Sequence, residues 1–451
     1  GMVFVRGHAR DFDSWAQSGA KGWSYADVLP YFKRMETWHG ELTEESKVFR
    51  GRTGPLHISR GKQNNPLFKA FVTAGAEAGF ELTPDYNGQK QEGFGVMEQT
   101  IYKGRRWSAS NAYLKPALKR QNLKLMNGYA HRIIFDELKA VGVEISHKGK
   151  TEIIKAKKEI IISASSINSP RLLLLSGIGP ADELKQLGII PILHRPGVGL
   201  NLQDHLEVYI QHKSKIKDTL YNLSTNYFTQ AVEGAKWFLL KKGMLTYSHL
   251  EVGGFVKTSE KYKHPNIQLH FFPSLVINHG LTNPSFDGFQ FHASPNRPKS
   301  RGFVEIKSNN YLDDPKIQFN YLEHEEDLQQ MRDSIKIANK IFNQESMKKY
   351  LGDQLRPGYD ATDNELDDII RNTADTAYHP SCTNKMGTDS MSVVDEETKV
   401  YGVENLRVID SSIMPDILSG NLNAGTIMIA EKAADMILKR EEAPIDADYY
   451  S

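Results

Sequence analysis

The chain of 451 residues contains one cysteine, Cys382. A single cysteine excludes an intramolecular disulfide framework, and it excludes zinc or iron–sulfur sites built from several cysteines. Opposite charges nearly cancel, because 56 lysines and arginines face 55 aspartates and glutamates and leave a net charge of +1. We therefore expect no general attraction to nucleic acid or to an anionic membrane. The low cysteine content is compatible with a reducing cytoplasm, which is the location we expect.

Two sequence patterns are also missing. No run reaches the roughly 18 apolar residues that a membrane-spanning helix needs. No Gly-x-Gly-x-x-Gly occurs, because Gly177-Ile-Gly179 and Gly197-Val-Gly199 each lack the third glycine. By itself the chain therefore carries no dinucleotide-binding fingerprint.

Helical periodicity is present in several segments. Ser24 precedes an apolar stripe, and Asp27 lies three residues later, which predicts a capping box at the start of a helix that continues to Met35. Further helices are predicted over residues 66–78, 230–241, 326–343 and 424–438. The length suggests two or three domains, at about 150 residues per domain. The short acidic tail from residue 441 is expected to be disordered.

Strand patterns occur in two settings. Residues 123–157 predict a meander of four short strands, and residues 268–272 predict a strand of a second, antiparallel domain. Residues 159–165 predict a short, continuously apolar strand followed by small residues, and Pro170 is expected at the first position of the helix that follows. A strand, a tight turn and a helix in this order are typical of cofactor-facing segments in α/β folds.

The most specific motif is SSINSPRLLLLSGIG at residues 165–179. It resembles the second signature of the glucose–methanol–choline (GMC) oxidoreductase family without a gap. The opening GMVFVRG at residues 1–7 and GWSYADVLPYF at residues 22–32 are also similar to the family. The resemblance extends to about residue 438, and it implies a flavoenzyme that uses FAD to oxidise an alcohol.

The resemblance implies an α/β fold of mixed character with two interleaved domains. One is an FAD-binding, Rossmann-like domain, and the other is a substrate domain with an antiparallel sheet. The expected boundaries are 1–212 for the FAD-binding region, 213–375 mainly for the substrate domain, 376–440 for a return to the FAD domain and active site, and 441–451 for the tail.

The start of the chain differs from the family pattern. The family's first strand and its glycine-rich FAD loop, which belong to an N-terminal βαβ unit, would precede residue 1. We therefore expect the chain to be truncated at its N-terminus. An inactive fragment that does not retain FAD is one alternative that this expectation leaves open.

The motif AYHPSCTNKMG at residues 377–387 contains the candidate catalytic histidine, His379. An imidazole that titrates near neutral pH suits removal of a hydroxyl proton. Asn423 follows 44 residues later, and the resemblance gives this His-Pro context and this spacing the catalytic roles. Asn423 would orient the substrate oxygen. A structural histidine and a helix cap are the respective alternatives.

A set of residues near the C-terminus is expected to hold FAD. The N-terminus of the helix predicted at 424–438 favours negative charge, and the resemblance places it beside the flavin pyrimidine edge. The family uses the Asp-Ser turn after the strand at 406–410 near the FAD phosphates and ribityl chain. For Asp410, a plain turn or cap residue is the alternative. The candidate cofactor-binding residues are Asp410, Ser411, Asn421, Asn423 and Thr426.

The segment SHLEVGGF at residues 248–255 carries an acid, Glu251, in an otherwise apolar strand. A buried carboxylate needs a partner, and a quaternary ammonium is one. The segment resembles a branch of the family that acts on choline, and so does NLQDHLE at residues 201–207. Glu251 and His292 are therefore candidate substrate-binding residues, while a salt-bridged strand residue and a core histidine are the alternatives.

The resemblance thus predicts oxidation of a primary alcohol, choline to betaine aldehyde, a step in glycine betaine biosynthesis. His379 would take the hydroxyl proton, and flavin N5 would accept the hydride. A dehydrogenase for a neutral aliphatic alcohol and a non-redox hydroxynitrile lyase that retains FAD remain alternatives. The sequence identifies neither the electron acceptor nor the oligomeric state. It also leaves open peripheral association with the inner membrane.

Overall fold

The computed structural model describes residues 2–277, 280–356 and 361–449. Within these ranges the chain forms a mixed α/β structure with one large antiparallel sheet and several small sheets. None of the helices in these ranges combines the length and the apolarity that crossing a lipid bilayer requires.

The helices are distributed along the whole described chain. They are α1 (Ala9–Gln17), α2 (Tyr25–Met35), α3 (Glu44–Phe49), α4 (Pro66–Glu77), α5 (Lys115–Ala117), α6 (Ser165–Leu175), α7 (Ala181–Gln186), α8 (Tyr221–Thr225), α9 (Tyr227–Leu240), α10 (Glu325–Phe342), α11 (Glu345–Lys348), α12 (Asp363–Thr373) and α13 (Asn423–Leu438). The helices predicted from periodicity correspond to α2, α4, α9, α10 and α13 and are confirmed. The capping box predicted at Ser24 and Asp27 is present.

The strands are mostly short. They are β1 (Glu36–Trp38), β2 (Leu56–Arg60), β3 (Gly93–Val96), β4 (Glu98–Gln99), β5 (Ile101–Tyr102), β6 (Arg105–Arg106), β7 (Tyr129–Asp136), β8 (Lys139–His147), β9 (Lys150–Lys155), β10 (Ile160–Ile162), β11 (Ile178–Gly179), β12 (Leu193–His194), β13 (Leu200–Leu202), β14 (Leu206–Ser214), β15 (Val252–Val256), β16 (Ile267–Phe272), β17 (Gly288–Pro295), β18 (Gly302–Glu305), β19 (Lys316–Gln318), β20 (Leu351–Arg356), β21 (Asp375–Thr376) and β22 (Leu406–Val408).

The large sheet has the order β20-β14-β17-β16-β15-β3, and β21 pairs with one end of β14. Helices α4 and α10 pack on its apolar face, where phenylalanines interlock. The Phe71 ring lies 4.5 Å from Phe291 and 4.9 Å from Phe271 between centroids, and Phe342 of α10 lies 5.0 Å from Phe291. The chain enters this sheet more than once, since β3 lies within the first hundred residues and β14 begins about 110 residues later, at Leu206.

A second core forms around α1, α2, α6 and α13. The parallel pair β10–β22 belongs to this core and aligns Ile160 with Leu406 and Ile162 with Val408. The strands predicted at 159–165 and 406–410 are therefore present, and the structure shows that they are neighbours. Their carboxyl ends lie next to the start of α6, where Asp410 reaches the backbone of Ser165.

Helix α6 begins at Ser165, earlier than predicted, and Pro170 lies inside it rather than at its first position. Proline has no N–H, so the turn containing Pro170 leaves the carbonyl of Ser166 without its backbone donor. The hydroxyl of Thr383 donates to that carbonyl at 2.7 Å. A contact with a distant residue thus replaces the missing hydrogen bond, which the local sequence does not show.

The predicted meander has three strands, β7, β8 and β9, instead of four. Residues 123–126 are not a strand. Leu123 and Leu125 are 41% and 62% exposed, so their alternation buries no apolar face that would favour strand pairing. The prediction of a fourth strand was wrong for this reason.

The prediction of a disordered tail was also wrong for the described residues up to 449. Ile445 N–H donates to the carbonyl of Ala26 at 3.0 Å. Tyr449 packs edge-on against Tyr25 with ring centroids 4.6 Å apart. Ile445 and Tyr449 therefore hold an acidic segment on α2, although the composition of that segment alone is typical of a solvated tail.

A buried ion cluster connects the loop after α3 to the first strands. The Arg50 guanidinium contacts Glu98 at 2.7 Å, Glu36 at 3.0 Å and Asp85 at 3.0 Å, and its side chain has no exposed surface. Trp38 Nε1 donates to Glu98 at 2.5 Å. Buried carboxylates are tolerated only while such partners remain.

We expect Arg50→Met to destabilise the protein by about 3–5 kcal/mol, because it removes the buried cation that Glu36, Asp85 and Glu98 share, even though Arg6 still contacts Glu36. The measurement is the free energy of unfolding from urea denaturation, with the thermal midpoint as a second readout. Lys185→Met is the matched control, since Lys185 pairs with Asp182 on the surface, where both side chains are more than 60% exposed. The control should stay within about 0.5 kcal/mol of the parent. Equal stability of the two variants would contradict the stabilising role of Arg50 in the buried ion cluster.

Candidate active site

A cavity of about 700 Å³ lies between the large sheet and the N-terminus of α13, and we call it the His379 cavity. Six of the eight predicted site residues line it: His379, Asn421, Asn423, Thr426, Ser411 and His292. The structure therefore brings together residues that are more than 100 positions apart in the sequence. Glu251 and Asp410 do not line this cavity.

Strand alternation explains why the sheet supplies one wall of the cavity. In β14, Leu206 and Val208 face the apolar core, whereas Glu207 lines the cavity. In β16 and β17, Phe271 and Phe291 face the core, while the histidines at 270 and 292 line the cavity. Successive side chains of a strand point to opposite faces, so one sheet carries both a core and a polar wall.

His379 lies on a loop that pairs with the segment before and at the start of β14. Gln203 and Ser381 exchange two backbone hydrogen bonds of 2.9 and 3.1 Å, and Ala377 N–H donates to the carbonyl of His205 at 2.8 Å. The Asp204 carboxylate accepts the backbone N–H of His379 at 2.7 Å. These contacts hold the loop on both sides of the histidine.

Both ring nitrogens of His379 have hydrogen-bond partners. Nδ1 lies 3.0 Å from Nδ1 of His205, and Nε2 lies 3.1 Å from Nδ2 of Asn421. Burial is the main cause that lowers the pKa of His379 well below its usual value, and nearby His205 and His270 lower it further. The imidazole is therefore neutral at neutral pH, which is the form that accepts a proton.

Asn421 connects His379 to the sheet. Its Oδ1 accepts from Nε2 of Gln268 at 3.3 Å. The Gln268 Nε2 atom also lies 3.1 Å from Nε2 of His270. Burial lowers the pKa of His270 to about 4. His270 is thus uncharged at neutral pH, and Asn421 contacts the candidate base rather than acting only as a helix-end residue.

Helix α13 begins at Asn423, and its N-cap is Leu422. The alternative of Asn423 as the helix cap was therefore wrong. Leu422 makes no side-chain hydrogen bond to the helix, so the N–H groups of the first turn are available to a ligand in the cavity. Asn423 is exposed to the cavity, and Thr426 lines it one turn later while bonding to the carbonyl of Leu422 at 2.9 Å.

Asp410 is engaged by neighbouring protein groups. Its Oδ2 accepts from Ser165 N–H at 3.0 Å and from the Ser169 hydroxyl at 2.5 Å, while Oδ1 accepts from Ser412 N–H at 2.8 Å. These bonds join the end of β22 to the start of α6. Ser411, its neighbour, lines the cavity and lies 2.8 Å from the Ser166 hydroxyl. The role of Asp410 toward a cofactor stays a prediction.

Glu207 and His292 form a pair on the sheet wall, with Oε1 and Nδ1 3.0 Å apart. Burial alone would raise the pKa of Glu207. The electrostatic interaction with His292 and its hydrogen bond outweigh this effect, so the pKa of Glu207 is lowered. Glu207 is therefore ionised at neutral pH. Gln290 Nε2 lies 2.7 Å from the other ring nitrogen of His292. The cavity thus has an acidic side.

Glu251 lies in a neighbouring cavity of about 480 Å³, together with His249, Tyr247 and Phe68. Its Oε2 accepts the backbone N–H of Gln63 at 2.8 Å. Burial raises its pKa, and this hydrogen bond lowers it in part. In the segment just before β15, Leu250 lines the His379 cavity, whereas Glu251 lines the neighbouring one. Its predicted role is therefore not supported by a shared cavity with His379.

The residues present fit FAD on two observations. The uncapped start of α13 offers N–H groups and positive dipole to the anionic edge of a flavin. The hydroxyls of Ser165, Ser411 and Thr426 line the same cavity as hydrogen-bonding groups. A neutral histidine and an asparagine lie across from them, as redox chemistry on an alcohol requires.

Sequence reasoning missed the role of the segment 201–207. It contributes Asp204, which holds the His379 backbone, His205, which contacts its ring, and Glu207, which supplies the negative charge. The motif was noted only as a sign of the family branch. The signal was a run of three ionisable or amide side chains, Gln203, Asp204 and His205, before an alternating strand, but only pairing with 375–381 gives it meaning.

Comparisons with known proteins identify the family. The GMC oxidoreductase family models match residues 1–207 and 298–430. The chain is 53% identical over 443 residues to an oxygen-dependent choline dehydrogenase of Brucella ovis, which covers 98% of this chain and 80% of that protein. It is 51% identical over 444 residues to the protein of the same description from Sinorhizobium fredii, with the same coverage.

Solved structures show the same fold. A variant of Aspergillus oryzae formate oxidase, studied for its FAD modification, superposes with a TM-score of 0.90 at 25% identity and covers 97% of this chain and 82% of that one. The predicted fold class and the predicted cofactor, FAD, are confirmed by the family match and by these neighbours. The chain belongs to the GMC oxidoreductase family.

Proposed function

We propose that this chain, with FAD bound, oxidises choline to betaine aldehyde. The observation that carries the proposal is that one cavity contains both a neutral histidine, His379, and an ionised carboxylate, Glu207. An alcohol with a fixed positive charge matches these two groups, one at each end. The names of the relatives at 50–53% identity point to the same substrate.

His379 removes the hydroxyl proton at Nε2. That nitrogen faces Asn421 now, and a substrate hydroxyl donates to the same lone pair when it displaces the amide. Asn421 and Asn423 then donate to the substrate oxygen and hold it in place. A positioned general base contributes about 10²- to 10⁴-fold to the rate.

The first turn of α13, with Ser411 and Thr426, would hold the isoalloxazine of FAD beside this oxygen. When bound, FAD supplies the acceptor for the hydride that leaves the alcohol carbon. In the described ranges, no group of three or more His, Cys, Asp or Glu is arranged to hold a metal ion.

The ammonium of choline needs a negative partner. Glu207 lines the His379 cavity, whereas Glu251 lies next to it in the cavity of Tyr247 and Phe68. We propose that Glu207 attracts the ammonium at the site. Glu251 remains the second candidate, as a carboxylate with aromatic neighbours that a cation meets in the adjoining cavity.

The test is anaerobic reduction of the FAD-loaded protein by choline and by 3,3-dimethylbutan-1-ol, its neutral isostere. We expect choline to bleach the flavin and to bind at least about tenfold more tightly than the isostere, a difference of about 1.4 kcal/mol. Glu207→Gln should remove this preference, because glutamine keeps an acceptor for His292 but not the charge. Glu251→Gln is measured in parallel to decide between the two carboxylates.

Glu233→Gln is the matched control, since Glu233 shares the cavity of Glu251 but is paired with Lys236 at 2.6 Å. It should leave choline binding unchanged. Faster reduction by the isostere than by choline would make the protein a dehydrogenase for neutral alcohols. Bound FAD that no alcohol reduces would overturn oxidation and favour the lyase.

We propose, in addition, that the protein associates peripherally with an anionic lipid surface. The observation is a set of exposed apolar side chains on α9, which we call the α9 face; they are 63% to 86% exposed. The members of the α9 face are Tyr227, Phe228, Phe238, Leu239 and Leu240. Residues 227 and 238, and likewise 228 and 239, are eleven positions apart, so three helical turns bring them to the same side.

Charge supports a lipid surface as the occupant of the α9 face. Glu233 is the only acid between residues 227 and 247, and Lys236 neutralises it. Lys241 and Lys242 follow the helix, and Arg105 lies over the Trp237 ring at 5.7 Å. Exposed aromatic and leucine side chains beside cations are typical of helices that lie in a membrane interface.

Co-sedimentation with vesicles tests the α9 face. The protein should bind vesicles that contain phosphatidylglycerol and should release at high salt, because each nearby cation contributes about 1 kcal/mol. Phe238→Ser with Leu239→Ser should abolish binding. Ile190→Ser with Leu312→Ser is the matched control, as both residues are exposed elsewhere. If the protein does not bind vesicles but forms a dimer, and Phe238→Ser with Leu239→Ser dissociates that dimer, a second copy of the chain would be the occupant of the α9 face.

A further inference from the structure

A buried chain of three hydrogen bonds leads to the candidate base. The backbone carbonyl of Asn296 lies 3.0 Å from Nε2 of His205. Nδ1 of His205 lies 3.0 Å from Nδ1 of His379, and Nε2 of His379 lies 3.1 Å from Nδ2 of Asn421. His205 is 2% exposed, so water does not replace these partners.

The donors and acceptors along this chain leave one arrangement of protons. A carbonyl oxygen only accepts, so Nε2 of His205 carries a proton. In a neutral imidazole the other nitrogen is then an acceptor, and Nδ1 of His379 must donate to it. Nε2 of His379 is consequently unprotonated and accepts from the Asn421 amide, whose Oδ1 is taken by Gln268.

We propose that His205 is a positioning residue that fixes the tautomer of His379, with the proton on Nδ1 and the lone pair on Nε2, toward the cavity. The inference rests on the proposed function only for its catalytic consequence. The Nε2 lone pair is the one that takes the hydroxyl proton, so the wrong tautomer would present an N–H to the substrate. Burial lowers the pKa of His205, which keeps the ring neutral, as the arrangement requires.

The backbone makes this contact rigid. The two histidines come from segments that pair with each other, since Ala377 N–H donates to the His205 carbonyl and the backbone of His379 donates to Asp204. The two rings are nearly perpendicular, at 89°, with centroids 5.2 Å apart. The other ionisable groups of this wall, Glu207, His270 and His292, contact neither ring nitrogen of His379.

The first experiment is ¹⁵N NMR of histidine-labelled, FAD-loaded protein, with the His379 signals assigned by their loss in His379→Gln. We expect the parent to show His379 as a single tautomer with protonated Nδ1. In His205→Leu the acceptor is lost, and the Nε2-protonated tautomer should appear. This readout does not depend on turnover, so it stands even if choline is not the substrate.

Steady-state kinetics with choline give the second readout. His205→Leu should lower kcat up to about 100-fold, the scale of a misplaced catalytic group, with KM and flavin absorbance unchanged. His205→Asn should restore most of the rate, because its Oδ1 can accept from Nδ1 of His379. His212→Leu is the matched control: His212 is buried in β14 but packs against Phe289 and Phe342 in the core.

Two results would overturn the inference. One is an Nε2-protonated His379 in the parent protein. The other is a His205→Leu variant that retains the parental tautomer and kcat. If His205→Leu does not fold, the parent spectrum and the His205→Asn variant still test whether His205 fixes the tautomer of His379. If no alcohol reduces the parent flavin, the proposed function fails, while the tautomer measurement separately tests the role of His205.

Discussion

Two backbone hydrogen bonds between Gln203 and Ser381 hold the loop of His379 against the large sheet, and the site depends on them. The pairing continues through Leu206 with Thr376 and Glu207 with Asp375. It brings the candidate base, His379, from the C-terminal part of the chain to residues from the middle. Without this pairing, His379 would have neither its histidine partner nor its fixed backbone, and the proposed catalytic residues would not share one cavity.

The same sheet explains how a hydrophobic core and a polar cavity coexist. Strands β14, β16 and β17 place phenylalanine and leucine toward α4 and α10, and place Glu207, His270 and His292 toward the cavity. The core fixes the strands, and the strands fix the polar side chains. Helix α13 closes the cavity from the other side with an uncapped N-terminus, so a cofactor completes hydrogen bonds that the protein leaves available.

Local patterns predicted the elements well but not the contacts between them. Amphipathic helices such as α2 and α10 were found because periodicity is a local signal. The start of α6 was misplaced because a hydroxyl from Thr383 compensates for Pro170, and the tail was misjudged because Tyr25 lies far away in sequence. The family motif predicted His379 and Asn423 as site residues, and both line the His379 cavity. It did not identify His205 or Glu207, whose roles follow only from strand pairing and alternation. The predicted domain boundaries stay predictions.

The central claim is that His379 is the base that removes the alcohol proton. Anaerobic stopped-flow reduction of FAD-loaded His379→Ala by choline tests it most directly. The account expects flavin reduction at least about 100-fold slower than in the parent, because a positioned base contributes 10²-fold or more, with the apparent Kd for choline nearly unchanged. A reduction rate within twofold of the parent would contradict it.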